Sequence, residues 1–101
     1  MEYKNVDTPA GREVFLQGSL TFRDHDAFYG IIAGLSALKN KQVIFDLSGV
    51  DFVDSAILGL FVIASEETTE HNITFMLRGA NGKVKEVMAT SMFDKIFQMI
   101  D

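Results

Sequence analysis

The sequence predicts an α/β domain, a small mixed sheet of four to five strands with helices mostly on one face. Three observations predict it. Segments rich in β-branched and aromatic residues alternate along the chain with segments whose apolar residues recur at helical spacing, the pattern of strands joined by helical crossovers. The run Val43-Ile44-Phe45 is continuously apolar, as expected for a strand buried on both faces. The chain has 101 residues, 48% hydrophobic and 23% charged, which supports one modest core. No linker, low-complexity tract or internal repeat interrupts it, so residues 1–101 read as a single domain.

Glu2 to Val6 reads as a short edge strand, and Thr8-Pro9-Ala10-Gly11, with the one proline, as a turn. In Glu13 to Phe22 the residues Phe15, Gln17 and Ser19 alternate with Val14, Leu16, Leu20 and Phe22, and the alternation falters at Gly18. This predicts a strand that bends or bulges there. Phe28, Ile31, Ile32 and Leu35 stand at i, i+3, i+4 and i+7, one face of a helix opened by Asp24 or Asp26 and ending near Lys39-Asn40-Lys41. Gln42 to Leu47 is a strand, Ser48-Gly49-Val50-Asp51 a turn, and Phe52-Val53 an extended segment. A second helix runs from Asp54 or Ser55 to about Glu70. Ile73 to Leu77 is the next strand and Gly82 to Thr90 a third helix, with Val84, Val87 and Met88 inward. Phe93, Ile96, Phe97 and Ile100 again show helical spacing, so a short helix or a docked irregular tail ends the chain. Met88, Met92 and Met99 read as core filler.

Composition narrows the function. There is no cysteine, which removes disulfides, thiolate metal sites and a cysteine nucleophile. The net charge is −5 and the lysines and arginines are scattered, so no basic stripe is offered to nucleic acid. The longest apolar run, Ala56 to Ala64, is about half of what a membrane span needs. With no apolar leader at the N-terminus, the expectation is a cytoplasmic protein without direct membrane insertion. His25, between Asp24 and Asp26, reads as a solvated helix-start residue rather than a metal ligand. His71 suits the end of the second helix. No base or oxyanion motif surrounds Ser55, and Gly79-Ala80-Asn81-Gly82 lacks the lysine of a phosphate loop. The chain reads as non-enzymatic, with no catalytic residue, metal or cofactor.

The informative stretch runs from Val43 to Phe61, where a buried strand ends, a turn follows and Ser55 opens an apolar helix. A serine there is either a plain helix cap or a reactive surface hydroxyl. A phosphate on it would meet the positive end of the helix macrodipole, so modification need not unfold the helix. Asp51 and Asp54 would crowd that phosphate, and an apolar partner surface pressed onto it would be expelled. Asp54 reads as a cap that also meets a partner. The candidate partner rim is Asp24, His25, Val53, Asp54, Ala56 and Ile57.

The same stretch resembles the STAS family of anti-sigma-factor antagonists. The matching residues are Asp46, Leu47, Ser48, Phe52, Val53, the pair Asp54-Ser55, Leu58, Gly59 and Leu60. Gly18-Ser19-Leu20 with the Phe28 helix, Ile73 to Gly79, Val84 to Met88 and Phe93 to Phe97 extend the likeness over nearly the whole chain. The resemblance implies partner switching. The unmodified domain would bind an anti-sigma factor or related serine kinase, phosphorylation of Ser55 would end the contact, and a PP2C-type phosphatase would reset it. The commoner motif has Ser or Thr and then Gly after the phosphorylated serine; here Ala56-Ile57 stand instead, removing a second acceptor and stiffening the helix start. Two other readings follow from the same family: a constitutive accessory subunit of an ABC-type transport complex, and a purine-nucleotide binder.

Overall fold

The computed structural model describes residues 1–101. A hairpin begins the chain: β1 (Glu2–Thr8) runs antiparallel to β2 (Gly11–Leu20) around the predicted Pro9 turn. Gly11 closes it. Its φ is +153° and an added Cβ would lie 1.8 Å from the Gln42 carbonyl oxygen, so only glycine fits where β2 starts beside the third strand. A 3-10 turn (Phe22–Asp24) leads into α1 (His25–Ala33), and a second (Leu35–Leu38) into β3 (Gln42–Val53). Then come α2 (Ser55–Glu70), β4 (Thr74–Arg78), α3 (Gly82–Thr90), a 3-10 turn (Phe93–Lys95) and β5 (Gln98–Ile100). The sheet order is β1-β2-β3-β4-β5, with parallel pairing everywhere except in the first hairpin. Each parallel pair is joined through a helix, the connection that parallel strands require.

One core forms on the helical side of the sheet. Val14 and Leu16 of β2, Val43, Phe45 and Leu47 of β3, and Leu77 of β4 pack there against Phe28, Ile31 and Ile32 of α1, Ile57, Leu60 and Phe61 of α2, and Val84 and Met88 of α3. The alternate strand residues, among them Glu13, Phe15, Ile44, Asp46, Met76 and Arg78, form the other face, which no helix covers. The four apolar positions predicted for the first helix, Phe28, Ile31, Ile32 and Leu35, are all buried. The helix itself ends earlier than expected, at Ala33, and Leu35 belongs to the 3-10 turn that follows.

Two elements differ from expectation. Ser48-Gly49-Val50-Asp51 is not a turn but part of one twelve-residue strand. Its register against β2 slips between Phe15 and Gln17 and again between Gly18 and Ser19, so Asp46 to Phe52 lies beside the shorter Phe15 to Ser19. The extra β3 residues are bulges. A bulge inverts the alternation of a strand, and here that turns both Val50 and Val53 into the core, each 3% exposed. The predicted irregularity at Gly18, whose φ is +88°, lies on the partner strand at the same place. The second difference is the C-terminus. Met92 takes a left-handed backbone at φ +59°, which breaks any helix through Phe93 to Ile100. Ile96 is 60% exposed, while Phe97 is buried and anchors a three-residue fifth strand against β4. Of the three methionines read as filler, only Met88 is fully buried, and Met92 is exposed.

Candidate functional site

β3 delivers Asp54 and Ser55 to the surface at the end of its bulged half. Asp54 has an extended backbone and is the N-cap of α2: its Oδ1 accepts from the Ile57 amide at 2.9 Å. Its Oδ2 accepts from the Phe22 amide, also at 2.9 Å, 32 residues away in sequence. The Asp54 amide in turn donates to the Leu20 carbonyl. One carboxylate therefore caps α2 and fastens the start of the Phe22–Asp24 turn to it. Because Asp54 does the capping, Ser55 is the first helical residue and is exposed, with its hydroxyl free for other use. Nearer the strand's middle, Asp51 of β3 accepts from the Ser19 hydroxyl of β2 at 2.9 Å.

This division of labour has a measurable consequence. Asp54→Ala removes a cap and a cross-link, and thermal denaturation should show a loss of about 1 to 2 kcal/mol. Ser55→Ala removes neither and should stay within about 0.5 kcal/mol of the parent. Equal losses would mean that the serine shares in holding the helix start.

The other expected rim residues divide into two groups. Val53 and Ile57 are 3% and 0% exposed, so as partner contacts they are corrected: the β3 bulge and the inward face of α2 seal both in the core. Asp24, His25 and Ala56 remain at the surface, half-buried. Asp24 does not cap α1 with its side chain; its Oδ2 accepts from the Thr21 amide at 3.0 Å. That bond leads the influences holding its carboxyl below the usual 3.8, against the opposing effect of burial. His25 Nδ1 lies 2.7 Å from the Phe22 carbonyl oxygen. A carbonyl only accepts, so Nδ1 carries the proton. Nε2 faces Asp26 Oδ1 at 3.3 Å. Both ring nitrogens thus have partners other than Ser55, and no serine–histidine pair is built. His71 accepts its expected role, with Nδ1 3.0 Å from the Glu67 carbonyl at the end of α2.

Four residues that share this surface were not among the expected partner rim. Phe22, Tyr29 and Ile63 are exposed apolar side chains, 62%, 49% and 39% accessible, and with Gly59 they line a groove of about 240 Å³ between α1 and α2. Phe22 stacks on His25 with ring centroids 4.4 Å apart, and Tyr29 meets His25 edge-on at 6.4 Å. Tyr29 and Ile63 could have been noticed, since both fall off the inward faces of their helices. The Asp54–Phe22 link has no local signal at all.

No group of three or more His, Cys, Asp or Glu side chains is arranged to hold a metal ion, and no helix is long and apolar enough to cross a membrane. The sequence profile of the STAS domain family matches residues 4–101. Among solved structures, an anti-sigma-factor antagonist (STAS) domain protein from Planctomyces limnophilus superposes with a TM-score of 0.87, at 16% identity, over 98% of this chain and 89% of that one. The anti-sigma factor antagonist SpoIIAA in its unphosphorylated form superposes at 0.70, with 20% identity, over 99% and 88%. A sulfate transporter family protein from Wolinella succinogenes superposes at 0.79, with 14% identity, over 95% and 80%.

Proposed function

Within the STAS domain family, to which the chain belongs, we propose that this protein is a phosphorylation-switched binding module whose acceptor is Ser55. In its unmodified state it binds an anti-sigma factor or a related serine kinase in the cytoplasm, and a PP2C-type phosphatase restores that state. The observation that carries the reading is the exposed Ser55 hydroxyl at the first position of α2, relieved of capping by Asp54. A phosphate there carries about −1.5 to −2 charge and lies at the positive end of a sixteen-residue helix. It also lies next in the chain to the Asp54 carboxylate on one side and to Ala56 on the other. A partner docked on that surface must strip water from the new charge without a compensating cation from this chain. The unmodified hydroxyl imposes no such cost.

Incubation of the protein with its kinase and ATP tests the reading by mass spectrometry. Wild type should gain one phosphate and Ser55→Ala none; equal gain on both would remove Ser55 from the scheme. In titrations with the kinase, Ser55→Asp should bind at least about tenfold more weakly than Ser55→Ala, a difference of about 1.4 kcal/mol. The structural likeness to a sulfate transporter family protein keeps a transport role in view; the second reading is a constitutive accessory subunit, and the form it would take is an ABC-type transport complex. That assembly should tolerate Ser55→Asp and Ser55→Ala equally, and co-purification with a transport ATPase rather than a kinase would select it.

A further inference from the structure

Gly59 has no reason to be glycine inside this chain. It sits within α2, where glycine is less favourable than alanine, its backbone is not left-handed, and no other part of the molecule lies within 4 Å of the place a Cβ would take. A glycine that neither conformation nor packing explains points to something that approaches from outside. What stands over it is the groove between α1 and α2. Phe22, His25 and Tyr29 line it on one side, and Ala56, Gly59, Leu60 and Ile63 of α2 on the other. The aromatic wall is braced by the Phe22–His25 stack and by the Asp54 link to the Phe22 amide.

Charge says what kind of occupant fits. α1 and α2 together carry Asp26, Glu66, Glu67 and Glu70 and not one lysine or arginine. Glu67 faces His71 at 3.6 Å, whereas Glu66 and Glu70 are exposed. The outer ridge of α2 is thus small and apolar near Ser55 and acidic at its far end. We propose that the groove seats an apolar side chain of an amphipathic helical segment from a partner protein, whose lysine or arginine residues reach Glu66 and Glu70. This deepens the phosphorylation-switch reading and rests on the same surface. Ser55 is one turn before Gly59, so a phosphate on it stands at the mouth of the groove. Glu66 lies about 16 Å further along the helix axis, about two Debye lengths at physiological salt. Cations bound there leave the phosphate uncompensated.

A synthetic amphipathic helical peptide, with leucines on one face and lysines in its last turn, tests the groove without any kinase. Titrated into isotope-labelled protein, it should move the amide resonances of Tyr29, Ala56, Gly59 and Ile63. Gly59→Leu, which puts a bulky side chain on the groove lining, should weaken binding at least about tenfold. Gly59→Ala should bind within about threefold of wild type and melt at a higher temperature. Glu66→Lys combined with Glu70→Lys leaves the groove intact and should weaken binding and flatten its salt dependence. Resonance shifts located elsewhere, or unchanged affinity of folded Gly59→Leu, would overturn the proposal. The two readings fail separately. A protein that binds the peptide through Gly59 but takes no phosphate on Ser55 keeps the groove and loses the switch, and one phosphorylated on Ser55 with a Gly59-independent interface keeps the switch and loses the groove.

Discussion

Phe45→Ala should lower the free energy of unfolding by about 4 kcal/mol, within the range of 3 to 5 found for large aromatic residues removed from cores. Phe45 is 0% exposed at the middle of β3. Its ring meets Phe28 of α1 at 6.1 Å, Phe61 of α2 at 6.1 Å and Phe75 of β4 at 4.9 Å, and Phe61 and Phe75 pass the contact on to Phe97 at the C-terminal tail. Phe45 thus joins β3 to three separate elements, and the rigid rings around it have little freedom to collapse into the space it leaves. Total stability for a domain of this size is about 5 to 15 kcal/mol, so the variant should lose a large share of its margin and melt at a clearly lower temperature. Urea titration should show a lower midpoint with an unchanged slope. Ile96→Ala, at a site 60% exposed, should change stability by under about 0.5 kcal/mol. A loss of less than about 1.5 kcal/mol for Phe45→Ala would show that the aromatic cluster repacks and is not the centre of the fold.

The parts of this molecule that were legible in the sequence are those fixed by local pattern. The helical spacing of Phe28, Ile31, Ile32 and Leu35, the apolar run of β3 and the start of α2 at Asp54-Ser55 each express a periodicity or a cap within one segment, and each is present in the structure. What the sequence hid depends on distant partners. Ser48-Gly49-Val50-Asp51 has turn composition, yet pairing with β2 holds it in the sheet as bulges. The last strand is three residues long, and a left-handed Met92 rather than any apolar rhythm decides that it is not helical. Val53 and Ile57 flank the serine in sequence and look like rim residues, but the strand bulge and the helix phase turn both inward. Phe22 and Tyr29 are brought to the site instead, through a carboxylate bond that spans 32 residues. The serine was legible because it is a sequence feature; the surface around it is a product of the fold.

On the opposite face of the sheet Asp46 ties β3 to β4 through Arg78, and Asp46→Ala should cost about 2 to 3 kcal/mol. Its Oδ1 accepts from the Ser48 amide at 2.9 Å and from the Ser48 hydroxyl, and its Oδ2 accepts from Arg78 Nε at 2.8 Å. Arg78 reaches on to Glu13 and covers the Phe15 ring at 5.6 Å. Three strands, β2, β3 and β4, are thereby tied together at the point where β3 begins to bulge. The carboxylate side chain is 11% exposed and the guanidinium 23%, so breaking the pair leaves a partly buried cation with Glu13 as its one remaining acidic partner. That places the loss below the 3 to 5 kcal/mol seen for fully buried pairs. Burial pushes the Asp46 carboxyl up, but the Ser48 hydroxyl and amide and the Arg78 guanidinium outweigh it and hold it below 3.8. A depressed folded value means that the stabilisation is complete above the unfolded value, near pH 4, and is lost as pH falls through the folded one. Wild type should therefore lose stability as it is acidified below about pH 4. Asp46→Asn, which keeps an acceptor for Ser48 but no charge, should start lower at neutral pH and show a shallower acid slope. Parallel slopes in the two proteins would mean that Asp46 does not set the acid response. Because Ser48 lies at the first bulge and the same strand leads through Val53 into Asp54 and Ser55, loosening this tie should also quicken amide hydrogen exchange from Val50 to Ser55, on the surface where the partner is expected to dock.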